Sequence, residues 1–229
     1  MAKPKPYEPP ISQLLALGDP REGGEFGQPP DKWLDYCALG LGEADADELV
    51  RLATDKHLHT LSGDRMEVWA GLHAWRALGQ LQVAKAVGPL LELLEFCEKH
   101  DDDWGLEEMP EVLGMIGSAA IEPAARFLAD AARGLYARIA AAVALRAIAR
   151  RHPDCRAACV GQLVERLTHG RWNDPTLNGF IVAQLLELRA VEAAPTIERA
   201  FALWQVDPSI VGGWEDVRQE LKGEVKLHE

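Results

Sequence analysis

Ala77-Leu78-Gly79-Gln80-Leu81, followed by Val87-Gly88-Pro89-Leu90-Leu91, is a phrase that this chain writes four times in related form. An apolar helix ends, a short joint follows, and a second helix opens near proline or a small residue. The other copies run from Val112-Leu113-Gly114-Met115-Ile116 to Ile121-Glu122-Pro123-Ala124-Ala125, from Ala147-Ile148-Ala149 to Cys159-Val160, and from Leu185-Leu186-Glu187-Leu188 to Ala194-Pro195-Thr196-Ile197. Leu78, Leu113 and Ile148 are spaced by 35 residues, Pro89 and Pro123 by 34, and Pro195 lies 72 beyond Pro123, which is two periods. A period of this length built from two helices predicts stacked hairpins, because one unit cannot bury its apolar face alone and must lie on its neighbours. The expected fold is all-α, a right-handed α-solenoid, and function in such a stack resides in the surface it presents.

The segment Ala38-Leu39-Gly40-Leu41-Gly42 to Leu49-Val50-Arg51-Leu52 reads as a further, diverged copy, making about five helix pairs. Helices are predicted near 31–40, 44–55, 65–80, 84–99, 104–116, 118–132, 134–151, 154–168, 174–189, 191–205 and 212–222. Ser118, Asp154 and Asn173-Asp174-Pro175 supply starts, and Gly117, Gly170 and Gly212-Gly213 supply stops. Trp33 and Tyr36 are expected in the first helix and Trp214 in the last. Residues 1–30 differ, with seven prolines and four glycines. Proline lacks the amide donor and fixes its backbone, so 1–30 is predicted as an arm, its Ile11–Leu17 patch against the first pair, and 31–229 as the helical domain.

The segment Arg138-Ile139-Ala140-Ala141-Ala142-Val143-Ala144-Leu145-Arg146-Ala147-Ile148-Ala149 resembles the first helix of a HEAT-like repeat of the short bacterial kind, also found in phycobilisome-lyase relatives. An arginine is followed by small residues, then Ala-Leu and a small residue at the bend; Arg138, Ala141, Ala144 and Leu145 match in order. The resemblance spans roughly 35–205 and implies a stack of HEAT-like pairs. The tetratricopeptide order of Trp, Leu-Gly, Tyr, Ala, Phe and Pro cannot be threaded through any copy.

Composition sets further limits. The chain has 229 residues, 48% of them hydrophobic, and a net charge of −12. Such acidity argues against general binding to nucleic acid or an anionic membrane. The N-terminus lacks an apolar signal region and no uninterrupted apolar run spans a bilayer, so the expected location is cytoplasmic. Cys37, Cys97, Cys155 and Cys159 lie in apolar helical patterns without a Cys-x-x-Cys pair and are expected as reduced core thiols.

Aligning the second helices on Pro89, Pro123, Cys159 and Pro195 produces polar columns. Three residues on stand Glu92, Arg126, Gln162 and Glu198; seven on, Phe96, Asp130, Arg166 and Ala202; ten on, Lys99, Arg133, His169 and Gln205. These offsets share one helical face, and such solenoids turn this ridge inward. Its mixed charge points to a protein or peptide partner, since a phosphate groove would be dominated by Lys and Arg. The predicted contact residues are Glu92, Phe96, Lys99, Arg126, Asp130, Arg133, Gln162, Arg166, His169 and Glu198. The alternative is the solvated face that every surface helix has.

Charge also segregates along the chain. Seven acidic residues lie between Glu98 and Glu111 with Lys99 alone against them, while eight arginines between Arg133 and Arg171 meet only Asp154 and Glu165. Either inter-helix ion pairing or a bipartite docking surface accounts for this. His100-Asp101-Asp102-Asp103 and His57-Leu58-His59 have the wrong spacing for a metal set and are read as helix-end residues. No metal or cofactor is predicted. Nucleophile elbow, phosphate loop, dinucleotide fingerprint and His-Glu-x-x-His are all missing. The tryptophans are expected mainly in the core.

The reading is a non-catalytic scaffold for a protein or peptide. Its rivals are a HEAT-like enzyme, of the nucleic-acid base-excision or bilin-lyase type, and a structural module of a larger assembly. Excision would draw on Arg126, Arg133, Arg166 and the Trp172/Asp174 pair, against the overall acidity.

Overall fold

The computed structural model describes residues 5–20 and 29–223, and every regular element among them is helical. In chain order the α-helices are α1 (Ala46–Ala53), α2 (Lys56–His59), α3 (Ala70–Gln80), α4 (Val87–Lys99), α5 (Asp103–Ile116), α6 (Ile121–Ala129), α7 (Leu135–Arg151), α8 (Arg156–Thr168), α9 (Pro175–Glu187), α10 (Ala194–Ala202), α11 (Pro208–Val211) and α12 (Trp214–Leu221). Short 3-10 turns lead into α4, α6, α8 and α10 at Ala84–Ala86, Gly117–Ala120, Pro153–Cys155 and Val191–Ala193. Thus the short joints of the four related phrases take one local form.

Two ranks of contact organise these helices. α1 lies on α3, α3 on α5, α5 on α7 and α7 on α9, while α4, α6, α8 and α10 touch in the same succession and α10 meets α12. A single apolar cluster runs through both ranks from Ile11 to Leu221. α7 is covered almost all round, which its alanines permit: Ala137, Ala140, Ala141, Ala144 and Ala147 are buried. At the crossing with α5 a Cβ on Gly114 would stand 2.7 Å from Cβ of Ala147, so glycine there lets the two backbones meet. Asp102 caps α5 by accepting from Gly105 N at 3.2 Å, and Asp174 caps α9 by accepting from Thr176 N at 2.8 Å. The start of α7 is capped from another helix, where Glu98 of α4 accepts from the amides of Tyr136 and Ala137 at 3.1 and 3.0 Å.

The helix expected over 31–40 does not form. Two 3-10 turns, Pro30–Lys32 and Cys37–Leu39, stand there instead, with Trp33 extended. The amide of Gln80 makes the bonds a helix would have kept for itself: its Oε1 accepts from Tyr36 N at 2.9 Å and its Nε2 donates to Leu34 O at 2.8 Å. Trp33 and Tyr36 are buried all the same. Cys37, expected in the core, is exposed, whereas Cys97, Cys155 and Cys159 are buried. Burial pushes the Cys159 thiol up to about 11.

The prolines of the arm do not keep it away from the helices. Ile11 and Leu14, on a 3-10 turn at Ile11–Ala16, enter the common cluster, while residues 1–4, 21–28 and 224–229 lie outside the described residues. One stretch, Asp103–Ala129, is apolar and long enough by composition to cross a membrane. It is broken at Gly117, whose φ of +83° separates α5 from α6.

His73 ties this first segment to α3. Its Nε2 donates to the Gly18 carbonyl at 2.9 Å, leaving Nδ1 to accept from the Tyr36 hydroxyl at 2.7 Å. Burial depresses its pKa from 6.5 to about 4. Between those values the unfolded chain binds the proton and the folded chain does not, so this contribution is complete above pH 6.5 and declines as pH falls toward 4. The loss is about 3 kcal/mol. Thermal melts of wild type and His73→Gln across this window should diverge, with the flatter profile in the variant. Parallel profiles would show that His73 does not titrate in the folded chain as its burial requires.

Candidate functional site

The second rank carries a groove on α6, α8 and α10. Between α6 and α8 lies a cleft of about 340 Å³, lined by Arg126, Gln162, Glu165, Arg166 and His169. His169 also lines a larger cleft of about 530 Å³, shared with Arg171, Trp172, Thr196, Arg199 and Leu203. The two clefts therefore share a wall at the C-terminal end of α8.

Arginine pairing separates this groove from the rest of the surface. Arg133 makes a two-pronged bond to Glu92, both contacts at 2.6 Å, and a third contact to Asp130 at 3.2 Å. These carboxylates hold the Arg133 guanidinium more firmly charged than an ordinary arginine. Arg146 and Arg151 meet Glu111, Arg150 meets Glu187 and Arg156 meets Glu192, each bond joining two different helices or a helix and a turn. Arg166, Arg171 and Arg199 have no carboxylate within 4.0 Å among the described residues. Arg166 donates instead to the carbonyls of Ala129 and His169 at 3.4 and 3.1 Å. Its Nε is buried without an acceptor, and burial lowers its pKa. The Arg171 guanidinium lies 4.6 Å over the Trp172 ring. Arg138 and Arg189 are also without such a carboxylate but stand elsewhere; Arg138 is buried on the Leu128 carbonyl and Asn173.

Two aromatic side chains expected in the core are on the surface. Trp172 is 67% exposed and Trp204 90% exposed. Trp204 has φ of +57°, in the left-handed region that a bulky residue rarely occupies. It terminates α10 through a C-cap in which Gln205 N donates to Ala200 O at 3.0 Å. Gln82, Asp101 and Arg189 take similar positive φ after α3, α4 and α9. Leu203 and Gln205, on either side of Trp204, line the larger cleft.

The predicted ridge is thus divided. Arg126, Gln162, Arg166 and His169 come together in the groove, with Arg126 also 3.7 Å from Glu122. Glu92, Asp130 and Arg133 form the ion-pair cluster between α4 and the turn after α6. Phe96 is half-buried and stacked 3.9 Å from His100, and Lys99 is exposed beside Glu95 at 3.3 Å. Glu198 is exposed on α10 but does not line either cleft. Arg199 and Leu203 stand outside the predicted ridge because they fall one position off its columns or at a helix end, while Trp172 enters the sequence reading only in the excision alternative and Arg171 only as the end of the arginine-rich stretch. Pro195 plus four is Arg199, which offsets of three and seven bracket on the same face.

Chemically, the groove offers guanidinium forks, a tryptophan face and hydroxyls, a set suited to holding carboxylates beside an apolar side chain. His100, Asp101 and Asp102 stand at the α4–α5 joint, where the His100 ring bonds to Phe96 O at 2.8 Å. Among the described residues no group of three His, Cys, Asp or Glu is placed to hold a metal ion. Comparison of the chain with family models, curated proteins and solved structures finds no match.

Proposed function

We propose that this chain is a non-catalytic binding module, a right-handed α-solenoid of about five HEAT-like pairs, that docks an acidic protein or peptide segment along the α6–α8–α10 groove. The carrying observation is that Arg166, Arg171 and Arg199 line one groove without carboxylate partners among the described residues, in a chain of net charge −12. Carboxylates are abundant, and neighbouring arginines have recruited them. An acidic segment would supply what these three lack, while its apolar side chains could lie on Trp172. Screening confines the net charge to about 8 Å at physiological salt, so a local arginine cluster attracts a short acidic segment despite it. A long polyanion would meet the acidic remainder of the surface.

The test uses fluorescein-labelled peptides alternating Glu or Asp with Leu or Trp, followed by anisotropy. Wild type should bind them in a salt-sensitive manner. Arg171→Glu with Arg199→Glu should weaken binding at least about tenfold while the melt moves by only a few degrees, because exposed substitutions change stability by roughly half a kcal/mol each. Unchanged affinity and salt dependence in that double variant would make the groove a solvated surface. Trp204→Gly gives a further expectation: relief of a left-handed conformation costing about 1–2 kcal/mol should leave the fold equally or more stable. A weaker peptide complex with an undiminished melt would mark Trp204 as a displayed contact residue.

A further inference from the structure

Apart from the groove, a cavity of about 150 Å³ lies where α2 and the starts of α3 and α5 meet, its lining including His59, Trp69, Leu72, Trp75, Asp102 and Trp104. Trp69 and Trp104 meet edge to face with centroids 5.5 Å apart, and His59 stacks parallel on Trp75 at 5.8 Å. These rings are fixed from behind. Trp75 Nε1 donates to Glu108 at 3.2 Å, and His59 Nε2 donates to the Ala53 carbonyl at 2.8 Å. Gly71 makes room for the imidazole, since a Cβ there would stand 2.6 Å from His59 Cε1. Asp102 is held in place by Gly105 N at 3.2 Å and the Cys97 thiol at 3.6 Å.

We propose that this cavity binds a methylated ammonium group. The faces of indole rings carry negative potential and attract cations, most strongly where water is excluded. Asp102 adds a full negative charge, no lysine or arginine among the described residues lines the cavity, and the chain from Glu98 to Glu111 is strongly acidic. A cavity of this volume accepts a guest of about benzene size, which a trimethylammonium head matches. Hydrogen bonding selects methylation. A primary ammonium brings three donors, whereas the lining side chains among the described residues offer as acceptors the Asp102 carboxylate and His59 Nδ1. A quaternary ammonium brings no donor and leaves none unsatisfied.

Calorimetric titration of the full chain tests this with three probes: choline, Nα-acetyl-Nε-trimethyllysine methylamide, and 3,3-dimethylbutan-1-ol, the neutral shape match of choline. At least one ammonium probe should bind saturably with one site, and the neutral alcohol at least about tenfold more weakly. Tighter binding of choline would point to a free headgroup as the source, and of the lysine derivative to a modified side chain. Asp102→Asn keeps a carbonyl to cap α5 and should lose about tenfold in affinity with the melt held within a few degrees. Trp104→Leu should lose more, and Arg171→Glu with Arg199→Glu should lose nothing, separating this site from the groove. Equal binding of the neutral alcohol, no binding of either ammonium at millimolar concentration, or unchanged affinity in Asp102→Asn would each overturn the proposal.

Discussion

Leu145→Asp is expected to lower stability by about 4 kcal/mol or more, enough to leave a chain of ordinary stability largely unfolded. Leu145 is fully buried in the middle of α7, the helix that touches α5, α6, α8 and α9. Removing the leucine volume costs about 2–3 kcal/mol at the lower end of core truncations. The new carboxylate must then either stay protonated at neutral pH or drag water into a site packed by alanines, and each course adds a comparable penalty. Leu145→Met, which nearly conserves volume, should cost less than about 1.5 kcal/mol. Circular-dichroism melts of both variants provide the check. An unchanged midpoint in Leu145→Asp would mean that this face of α7 is not in the core.

Glu108→Ala is the second large effect, expected at about 3–5 kcal/mol. Arg76 of α3 and Glu108 of α5 are both nearly inaccessible and form a two-pronged ion pair, with Arg76 Nε 2.8 Å from Glu108 Oε2. Trp75 donates to the same oxygen, and the Arg76 guanidinium lies 4.7 Å from the Trp33 ring centroid. One carboxylate therefore satisfies three donors and balances a buried charge. Its removal leaves the guanidinium uncompensated and the indole N–H without its acceptor, and that desolvation sets the magnitude. The double change Arg76→Met with Glu108→Leu should recover most of the loss, because well-packed apolar residues commonly replace a buried pair at little cost. A denaturant titration in which Glu108→Ala costs under 1 kcal/mol would show instead that the pair is hydrated.

Helix positions were readable from the apolar phrases and their punctuation. Segments predicted at 84–99, 134–151 and 174–189 correspond to α4 with its leading turn, α7 and α9. Local signals sufficed because Pro175, Gly117 and Asp174 act on backbone within a few residues of themselves. Trp33 and Tyr36 show where locality fails. Their short-range pattern is helical, yet Gln80 satisfies the backbone from 44 residues away and makes an extended path the cheaper one.

The sequence by itself determined the helical class and the approximate positions of the longer helices, α4, α7 and α9 among them, because periodic burial and capping are properties of neighbouring residues, but not the path over 31–40. It also placed Arg126, Gln162, Arg166 and His169 on compatible faces. Tertiary structure alone decided which arginines are spent on Glu92, Glu111, Glu187 and Glu192 and which remain along the groove. It alone gathered His59, Trp69, Trp75, Asp102 and Trp104 around one cavity. Pairing and enclosure depend on distances between separate helices, and those are set by side-chain volume at contacts such as Gly114 on Ala147, which no local pattern encodes.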